Sequence, residues 1–466
     1  MKMWAGRFRQ ALDPQFERWQ RSFPFDQRLI GEELAASGAH ARALASAGVL
    51  SQSELDSILH GLGEIGRQAA TPEFLQDDEA EDVHHFVEKR LVALIGEAGY
   101  KLHSGRSRNE QIATDLRLYV RRSIDTLQRS LGELLETLVT RAEKSGVAAM
   151  PSYTHLQPAE PVLVGHWLLA YAEMFFRDSG RLADCRKRLN QCPLGSGAVA
   201  GATLLLDRST MSAELGFDQS TANSLDATSD RDFALEFVQA LSLLAIHFSR
   251  LAEEMILFST REFGFVRLPE AFSTGSSAMP QKQNPDSMEL IRGKAARVVG
   301  EAMSLAATVK GLPLAYNKDL QETQEPVFSV AETMQGVVAI AAGFMSAVEF
   351  DNDRMHAAAS SGFMNAMAAA HYLAARGVPF RRAHEKIGQA VQWCLENRCE
   401  LADMPFDELR RFAPEADRDF YSHLTLDAVL GCHNVEGGTA PARVRQALAE
   451  ARERLAALKG EQHAHA

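Results

Sequence analysis

Apolar residues recur at steps of three and four along much of this chain, and the longest such run extends from residue 112 to residue 138. Arg, Asp and Glu occupy the positions between them, which is the pattern of an α-helix with one buried face. The pattern predicts an amphipathic helix of about 40 Å that begins near Glu110 and ends near the Ser145-Gly146 pair. Its apolar face comprises Ile112, Leu116, Val120, Ile124, Leu127, Leu131, Leu134 and Leu138.

Two further segments predict long helices. Apolar residues at helical spacing extend from Leu235 to Met255. The third helix is predicted to begin at Asn284-Pro285-Asp286, because Asn is a favoured N-cap residue and Pro is a favoured first helical residue. All 16 prolines lie outside residues 73–150, 194–268 and 327–378, so these segments can hold uninterrupted helices.

Alternating patterns rich in β-branched residues are almost absent, so we expect an all-α protein with a core of unusually long helices. The apolar faces of such helices are wider than one antiparallel neighbour covers. This favours several subunits that share one bundle, with a self-contained monomeric bundle as the alternative. Where the long periodicity begins and ends, the pattern divides the chain into an N-terminal helical domain (1–108), a central long-helix domain (109–361) and a C-terminal helical domain (362–466).

Composition excludes several classes of protein. The chain has 466 residues, and 49 Lys and Arg against 61 Asp and Glu give a net charge of −12, which disfavours a nucleic-acid partner. The longest nearly uncharged apolar stretch, residues 337–348, is too short to span a membrane and predicts a buried helix segment. Five cysteines without Cys-x-x-Cys spacing, and no visible secretory signal, indicate reduced thiols in a cytoplasmic protein.

Three polar segments interrupt the helical pattern, and the first is His-Ser-Gly-Arg-Ser-Arg-Asn at 103–109. Arg106, Arg108 and Asn109 stand there directly before the long helix. Guanidinium groups, hydroxyls, an amide and a helix N-terminus together suit a carboxylate or a phosphate. The alternative is a solvated basic turn in which Asn109 only caps the helix.

The second polar segment, residues 152–161, is a turn closed by two prolines and followed by Val162, His166 and Trp167 on a helix. It contains His155 beside the hydroxyl of Thr154. A histidine titrates near neutral pH and can transfer protons there. A structural histidine with satisfied hydrogen bonds is the alternative.

The third polar segment, residues 273–285, is a pliable loop with Gly275, Ser276 and Ser277 near its start and Lys282 near its end. A serine hydroxyl is a weak base, and its anion needs backbone N–H donors and a cation for stabilisation. The loop holds both, and it leads into the predicted helix at Asn284. The alternative is a flexible Gly/Ser connection without chemistry.

These three segments resemble the motifs of the fumarase/aspartase superfamily: His-Ser-Gly-Arg-Ser-Arg-Asn, Tyr-Thr-His-Leu-Gln-Pro at 153–158, and Gly-Ser-Ser-x-Met-Pro-x-Lys-x-Asn-Pro at 275–285. Other strings resemble the argininosuccinate lyase family within it. They are Trp-Ala-Gly-Arg-Phe at 4–8, Ala-Glu-Asp-Val-His at 80–84, Asn-Ser-Leu-Asp at 223–226 with Ser-Asp-Arg-Asp at 229–232, and the segment 311–322, which contains Tyr-Asn-Lys-Asp-Leu-Gln.

The resemblance implies a carbon-nitrogen lyase that splits argininosuccinate into arginine and fumarate by reversible β-elimination. It also implies a homotetramer in which the central domains form a twenty-helix core. Residues from three subunits would then form each active site. No metal and no organic cofactor are implied, and neither is a membrane partner.

The resemblance also assigns roles to residues of this chain. Ser276 would remove the proton next to the substrate carboxylate, with Lys282 stabilising the resulting anions, and His155, oriented by Glu289, would serve the departing nitrogen. The pair is compatible with either assignment of acid and base. Substrate binding is assigned to Arg108, Asn109 and Thr154 on the fumarate half, and to Ser22, Asn284, Tyr316 and Gln321 on the rest, the last two chiefly on the arginine half.

Three positions depart from the family pattern. Gln324 stands where a lysine usually helps to hold the arginine end, which loses a charge-assisted contact of about 1–2 kcal/mol. Gln283 replaces a second lysine of the loop, and Ala5 replaces a glycine. We expect elimination chemistry to survive these changes with weakened or compensated binding of the arginine half.

The sequence leaves two other functions open. One is a related lyase acting on another substituted succinate, such as adenylosuccinate or aspartate, and the other is a structural protein of the lens-crystallin type. The retention of Ser276 and His155 argues against the second. Despite the acidic background, Arg106, Arg108, Lys282 and Lys318 are expected to form a local positive pocket for a small substrate that carries carboxylates.

Overall fold

Long helices dominate the computed structural model, which describes residues 10–464 of the chain. The resemblance at residues 4–8 therefore lies outside the described residues. The α-helices are α1 Pro14–Trp19, α2 Phe23–Asp26, α3 Ile30–Ser46, α4 Gln52–Gln68, α5 Val83–Ile95, α6 Glu97–Lys101, α7 Arg108–Ser145, α8 Val164–Leu189, α9 Arg208–Glu214, α10 Ser224–Ala227, α11 Asp232–Ser259, α12 Asp286–Val309, α13 Gln324–Ala347, α14 Asn352–Ala359, α15 Ala366–Ala375, α16 Phe380–Asn397, α17 Phe406–Phe412, α18 Leu426–Cys432 and α19 Pro441–Ala464.

Short 3-10 helices and small sheets complete the described part of the chain. The 3-10 helices are Gln27–Leu29, Pro72–Leu75, Glu270–Phe272, Lys318–Thr323, Leu401–Asp403 and Arg418–His423. The strands form four two-stranded sheets. They are β1 Ala149–Thr154 with β2 Gln157–Leu163, β3 Gln191–Cys192 with β4 Gln219–Ser220, β5 Val266–Arg267 with β8 Glu349–Phe350, and β6 Thr274–Gly275 with β7 Gln283–Asn284. The all-α prediction is confirmed, since no larger sheet occurs in residues 10–464.

The predicted long helices are present with small shifts at their starts. Helix α7 begins at Arg108, two residues before the predicted start, and ends at Ser145 as predicted. Its apolar face is fully buried from Leu116 to Leu138. The second predicted helix is part of α11. The third, α12, begins at Asp286, and Asn284 is not its N-cap because that residue ends strand β7 opposite Thr274.

The chain forms two compact units. The first contains the described residues up to Thr126, Gly180–Ser242 and Arg297–Met334, and the second contains Leu127–Ser179, Leu243–Ala296 and the described residues from Gln335 onward. Every change of unit along the chain falls inside one of the five long helices α7, α8, α11, α12 and α13. The division into three domains at 108 and 361 stays a prediction.

The first unit has an apolar core among α3, α4 and α5. Leu44, Ile58 and Phe86 are fully buried there, and the rings of Phe23 and Phe86 stack with centroids 4.7 Å apart. This packing fixes the start of α5, where the Glu81-Asp82 pair stands.

In the second unit, the hairpin β1–β2 packs against helices from the end of the chain. Helix α14 contacts β1 and helix α18 contacts β2. The backbone N–H of Leu163 donates to Thr439 Oγ1 at 2.8 Å. A separate apolar core is formed around α15, α16 and α17, in which Leu373, Ile387 and Phe420 are buried. The base of the hairpin is therefore fixed, which leaves its tip as the free end.

The helix from Lys318 to Ala347 is long and apolar enough to cross a membrane by length and composition. Of its most apolar 18-residue window, 56% is buried within the protein. Core helices of soluble proteins pass the same test, so a single such helix is weak evidence of a membrane span. The predicted apolar stretch 337–348 falls at the end of this helix, and Val338 and Phe344 are fully buried, as predicted. The five cysteines are free thiols, also as predicted.

Candidate active site

The segment 103–109 forms a tight turn and the first residues of α7. Ser107 is the N-terminal cap, since its Oγ accepts the N–H of Asn109 at 3.3 Å and its own N–H donates to Glu110 Oε1 at 2.9 Å. Asn109 is therefore not the cap, contrary to the alternative that the sequence left open. Its side chain lies in the first helical turn, beside Arg108.

The turn before α7 is fixed from inside. Gly105 has φ +68°, and a Cβ atom there would lie 2.8 Å from Leu204 Cδ1, so only glycine is accommodated. The Arg106 side chain is 4% exposed and donates from Nη1 to Ser37 Oγ at 3.0 Å. A solvated basic turn is thereby excluded.

Arg108 is paired with the acidic residues that precede α5. Its Nη1 lies 3.0 Å from Asp82 Oδ2 and 3.3 Å from Glu81 Oε2. Lys318 Nζ lies 3.9 Å from Glu81 Oε1. The backbone N–H of Ser22 donates to the Glu81 carbonyl at 2.9 Å. The loop at Glu81 thus brings three separate sequence segments together.

Residues predicted for the arginine half stand beside this loop. Burial raises the pKa of Tyr316, while the charges of Arg231 and Arg108 act against that rise and Asp82 adds to it. Gln321 is buried and donates from Nε2 to the Gln20 carbonyl at 3.1 Å, two residues from the predicted Ser22. The first unit therefore groups Ser22, Arg108, Asn109, Tyr316 and Gln321.

Gln324 is the first residue of α13, and its side chain is 2% exposed. Its Oε1 is buried without a hydrogen-bond partner in the described part of the chain. A buried amide oxygen without a hydrogen bond lowers the stability of the fold by about 1–3 kcal/mol. A hydrogen-bond donor on the substrate could satisfy this oxygen.

The sequence predicted a positive pocket formed by four residues, and this prediction is wrong for three of them. Arg106 lies next to Glu33, Arg108 is paired with Asp82, and Lys318 lies near Glu81. Carboxylates far away in the sequence thus neutralise these charges. Lys282 is exposed and forms no ion pair with any described residue.

The second polar segment is a β-hairpin, which the sequence did not predict. Val162 lies on β2 and not on a helix, while His166 and Trp167 lie on α8 as predicted. The pairing ends at Thr154 and Gln157, so His155 and Leu156 form the two-residue loop.

Both loop residues have positive φ, +55° for His155 and +57° for Leu156. A type I′ turn requires this conformation, and residues other than glycine are strained in it. The hairpin therefore presents His155 and Thr154 exposed at its tip.

The third polar segment is also a hairpin, in which β6 pairs with β7 through Thr274 with Asn284 and Gly275 with Gln283. Ser276 directly follows β6 and Lys282 directly precedes β7, so these two residues begin and end the loop. Ser276 Oγ accepts the N–H of Ala278 at 3.3 Å and of Met279 at 3.1 Å. The backbone donors that the sequence predicted for this hydroxyl are thus in place.

Thr274 and Asp286 hold the base of this hairpin. The N–H and the hydroxyl of Thr274 both donate to Asp286 Oδ2, at 3.1 and 2.6 Å. Gln283, which replaces a family lysine, donates from Nε2 to the Leu268 carbonyl at 3.1 Å. Its amide is therefore engaged in the base of the loop.

The residues predicted for proton transfer in the second unit are not linked to one another by side-chain hydrogen bonds or ion pairs among the described residues. Glu289 is exposed on α12, and no hydrogen bond or ion pair joins His155 to Glu289, Ser276 or Lys282 among residues 10–464. A charge-relay pair of His155 and Glu289 stays a prediction.

A buried polar cluster behind Arg106 was missed by the sequence analysis. Glu33 Oε2 lies 2.7 Å from His84 Nδ1, and Asp115 Oδ2 lies 3.8 Å from the same nitrogen. The ligand atoms of the three residues lie within 4.8 Å of one another, a spacing that a metal ion could use. The Arg106 guanidinium, 3.9 Å from Glu33, already supplies positive charge there. A signal for this cluster was the acidic Glu32-Glu33 pair among the alanines of α3.

The charges of this cluster shift each other's titration. Burial alone raises the pKa of Glu33, but His84 and Arg106 outweigh it and hold this pKa at about 2. Burial and the neighbouring Glu33 carboxylate raise the pKa of Asp115 well above its usual value. Burial and the Glu33 carboxylate thus both disfavour the charged form of Asp115.

Two family profiles match this chain. One, described as Lyase, matches residues 6–300. The other, described as Argininosuccinate lyase C-terminal, matches residues 363–431. Together they include both hairpins and the segment 103–109.

Similar proteins named argininosuccinate lyase extend over the whole chain. That of Koribacter versatilis (strain Ellin345) is 61% identical over 466 residues and covers 100% of both chains. That of Acidobacterium capsulatum is 57% identical over 454 residues, which is 96% of this chain and 93% of the relative.

Solved structures share the fold at lower identity. A variant of EDDS lyase with bound fumarate has a TM-score of 0.84 at 24% identity and covers 98% of this chain and 92% of its own. A fumarate lyase from Mesorhizobium sp. BNC1 has a TM-score of 0.74 at 21% identity and covers 95% and 99%.

Proposed function

Because the chain belongs to the argininosuccinate lyase family of the fumarase/aspartase superfamily, we propose that it splits argininosuccinate reversibly into L-arginine and fumarate, with Ser276 and His155 as the proton-transfer pair. The chain is an enzyme, a lyase. The proposed cleavage is the last step of arginine biosynthesis, and we expect it to take place in the cytoplasm.

The main support for this proposal is the loop of the β6–β7 hairpin, which contains Ser276 and Lys282. Elimination begins with removal of a weakly acidic proton next to a carboxylate, and a serine is a strong enough base only as its alkoxide. Two backbone N–H groups already point at Ser276 Oγ, and the same donors would stabilise negative charge on that oxygen. Lys282 stands at the other end of the loop, directly before β7, and forms no ion pair within 4 Å among the described residues.

His155 serves the other end of the broken bond. As the proton leaves carbon, its electron pair forms the double bond of fumarate, the carbon-nitrogen bond breaks, and the guanidino nitrogen takes up a proton. The exposed imidazole at the tip of the β1–β2 hairpin can deliver that proton directly or through water. Glu289 would orient the imidazole. In the reverse reaction the two residues exchange the roles of acid and base.

The substrate carboxylates are held by Arg108, Asn109 and Thr154, at the N-terminus of α7 and the tip of the β1–β2 hairpin. Arg108 is already paired with Asp82 and Glu81, so this part of the site is nearly neutral before the substrate arrives. A guanidinium has five N–H donors and can hold a substrate carboxylate beside these partners. Ser22, Asn284, Tyr316, Gln321 and Gln324 would complete the pocket.

We propose that a homotetramer with a twenty-helix core completes the site. Exposed apolar side chains on the long helices support this, because Leu290 and Ile340 would be covered by further copies of the chain. Within one chain, His155 does not reach Ser276 or Glu289 by any hydrogen bond among the described residues. Three subunits would each supply one of the polar segments.

An absorbance assay for fumarate tests the substrate. The protein is incubated with argininosuccinate and, separately, with adenylosuccinate and with aspartate, while absorbance from fumarate is followed. Fumarate is expected from argininosuccinate alone. Fumarate from one of the other two substrates but not from argininosuccinate would contradict the proposal.

A further inference from the structure

Glu33 of α3 lies at the centre of the buried polar cluster. Its carboxylate pairs with His84 Nδ1 at 2.7 Å and accepts the hydroxyl of Ser37 at 2.6 Å. The amide of Gln111 on α7 donates to both of its oxygens at 3.3 Å. Arg106 lies 3.9 Å away and donates to the same Ser37 hydroxyl. One carboxylate thus connects α3, α5, the turn before α7 and α7 itself.

The contacts of Glu33 lie next to the residues proposed to hold the substrate. His84 stands two residues after Asp82, and Arg106 stands two residues before Arg108. Asp82 and Arg108 form the 3.0 Å ion pair described above. Glu33 therefore fixes the two chain segments whose outer residues make up one side of the proposed site.

A gain in stability does not by itself explain why this cluster is ionic, because apolar side chains can fill such a site without loss of stability. Glu33, His84 and the Arg106 side chain are all buried, and burying charges costs free energy that their attraction only partly returns. Replacing a buried ion pair by apolar side chains of similar size is often neutral or stabilising in proteins. Directional bonds do what apolar contacts cannot, since they fix the positions of two backbone segments relative to each other.

We propose that Glu33 is a positioning residue for substrate binding, which holds His84 and Arg106 so that Arg108 and Asn109 face the substrate carboxylate. The inference rests on the proposed function of Arg108. Loss of the Glu33 charge would release Arg106 and loosen the turn at 103–107.

The test compares steady-state kinetics of two neighbouring variants. Glu33→Gln keeps the shape but removes the charge. Glu32→Gln is the matched control, because Glu32 is also buried on α3 and pairs instead with Arg122. We expect Glu33→Gln to raise KM for argininosuccinate about tenfold with kcat changed less than threefold, Glu33→Asp to recover part of the loss, and Glu32→Gln to leave KM unchanged.

The outcomes separate this inference from the proposed function. An unchanged KM in folded Glu33→Gln, or an equal rise in Glu32→Gln, would overturn the positioning role. If Glu33→Gln does not fold, Ser37→Ala decides instead, because it removes the hydroxyl that Arg106 contacts; a KM unchanged by it would also overturn the role. Arg108→Ala is measured in parallel. If this variant does not raise KM, the proposed role of Arg108 in substrate binding is wrong, and the positioning role of Glu33 falls with it.

Discussion

The hydroxyl oxygen of Ser276 lies 3.1 Å from the backbone nitrogen of Met279 and accepts its hydrogen bond. A second donor, the N–H of Ala278, points at the same oxygen. The next residue, Ser277, is exposed and makes no side-chain hydrogen bond with the described residues. The loop therefore distinguishes chemically between two adjacent serines.

Ser276→Ala is expected to lower kcat by about 10³-fold or more, because it removes the proposed base along with its prepared donors. Ser277→Ala is the matched control and should keep most of the activity. Fumarate absorbance measures both, and circular dichroism checks that each variant is folded. Equal losses in the two variants would mean that the loop, and not the Ser276 hydroxyl, is required.

A shared active site predicts complementation between inactive variants. Ser276→Ala and His155→Asn are each expected to be inactive as homotetramers. When the two are unfolded together and refolded as a mixture, some sites receive intact Ser276 and His155 from different subunits, so activity should reappear. Each variant refolded alone is the control. A mixture that stays inactive, although it assembles, would argue against a site shared among subunits.

The tip of the β1–β2 hairpin predicts a stabilising substitution. Leu156 has φ +57° and is 67% exposed. Its left-handed conformation is therefore strained, and burial of its side chain offsets little of that strain. Leu156→Gly should raise the free energy of unfolding by about 0.5–1 kcal/mol, after the entropy cost of glycine in the unfolded chain. Urea denaturation measures the change. Leu156→Ala keeps the strain and should show no gain, so an equal gain would point to another cause.

Asp26 predicts a dependence of stability on pH. Burial, together with the nearby Asp82, raises the pKa of Asp26 to about 7 from its usual 3.8. Between these two values the folded state binds more protons than the unfolded state, so the contribution of Asp26 to stability is present below pH 4 and is lost as pH rises to 7.

In the wild type, this effect should lower the free energy of unfolding by on the order of 3 kcal/mol between pH 4.5 and pH 7.5. Asp26→Asn should abolish that decrease, because asparagine does not titrate. The asparagine oxygen can still accept the N–H of Val83, which Asp26 accepts at 3.0 Å. The exposed Asp56→Asn serves as the control. The same pH dependence in wild type and Asp26→Asn would rule out Asp26 as its source.

Gln324 predicts a change in affinity at the arginine half. Gln324→Lys restores the residue usual in the family and should lower KM for argininosuccinate by about 5- to 30-fold, the equivalent of 1–2 kcal/mol. Gln324→Met removes the unpaired Oε1 acceptor and should raise KM. Unchanged KM in the lysine variant would mean that this position does not face the substrate.

The local sequence pattern was sufficient to predict the long helices and the polar segments that contain the candidate catalytic and binding residues. The apolar face of α7 could be read from residues three and four apart, because neighbours on a helix surface are near neighbours in sequence. The polar segments with Ser276, His155 and Arg108 stood out for the same reason, since each gathers its reactive groups within about a dozen residues.

Only the tertiary structure decided how the charges are paired. Arg108 meets Asp82 and Arg106 approaches Glu33 through contacts between residues 26 and 73 positions apart in sequence, and no local period encodes such contacts. For the same reason the sequence predicted a positive pocket where the structure has ion pairs. The β1–β2 hairpin also escaped prediction, because its prolines hide the strand pattern and its pairing is supported by α14 and α18, about 200 residues or more further along the chain.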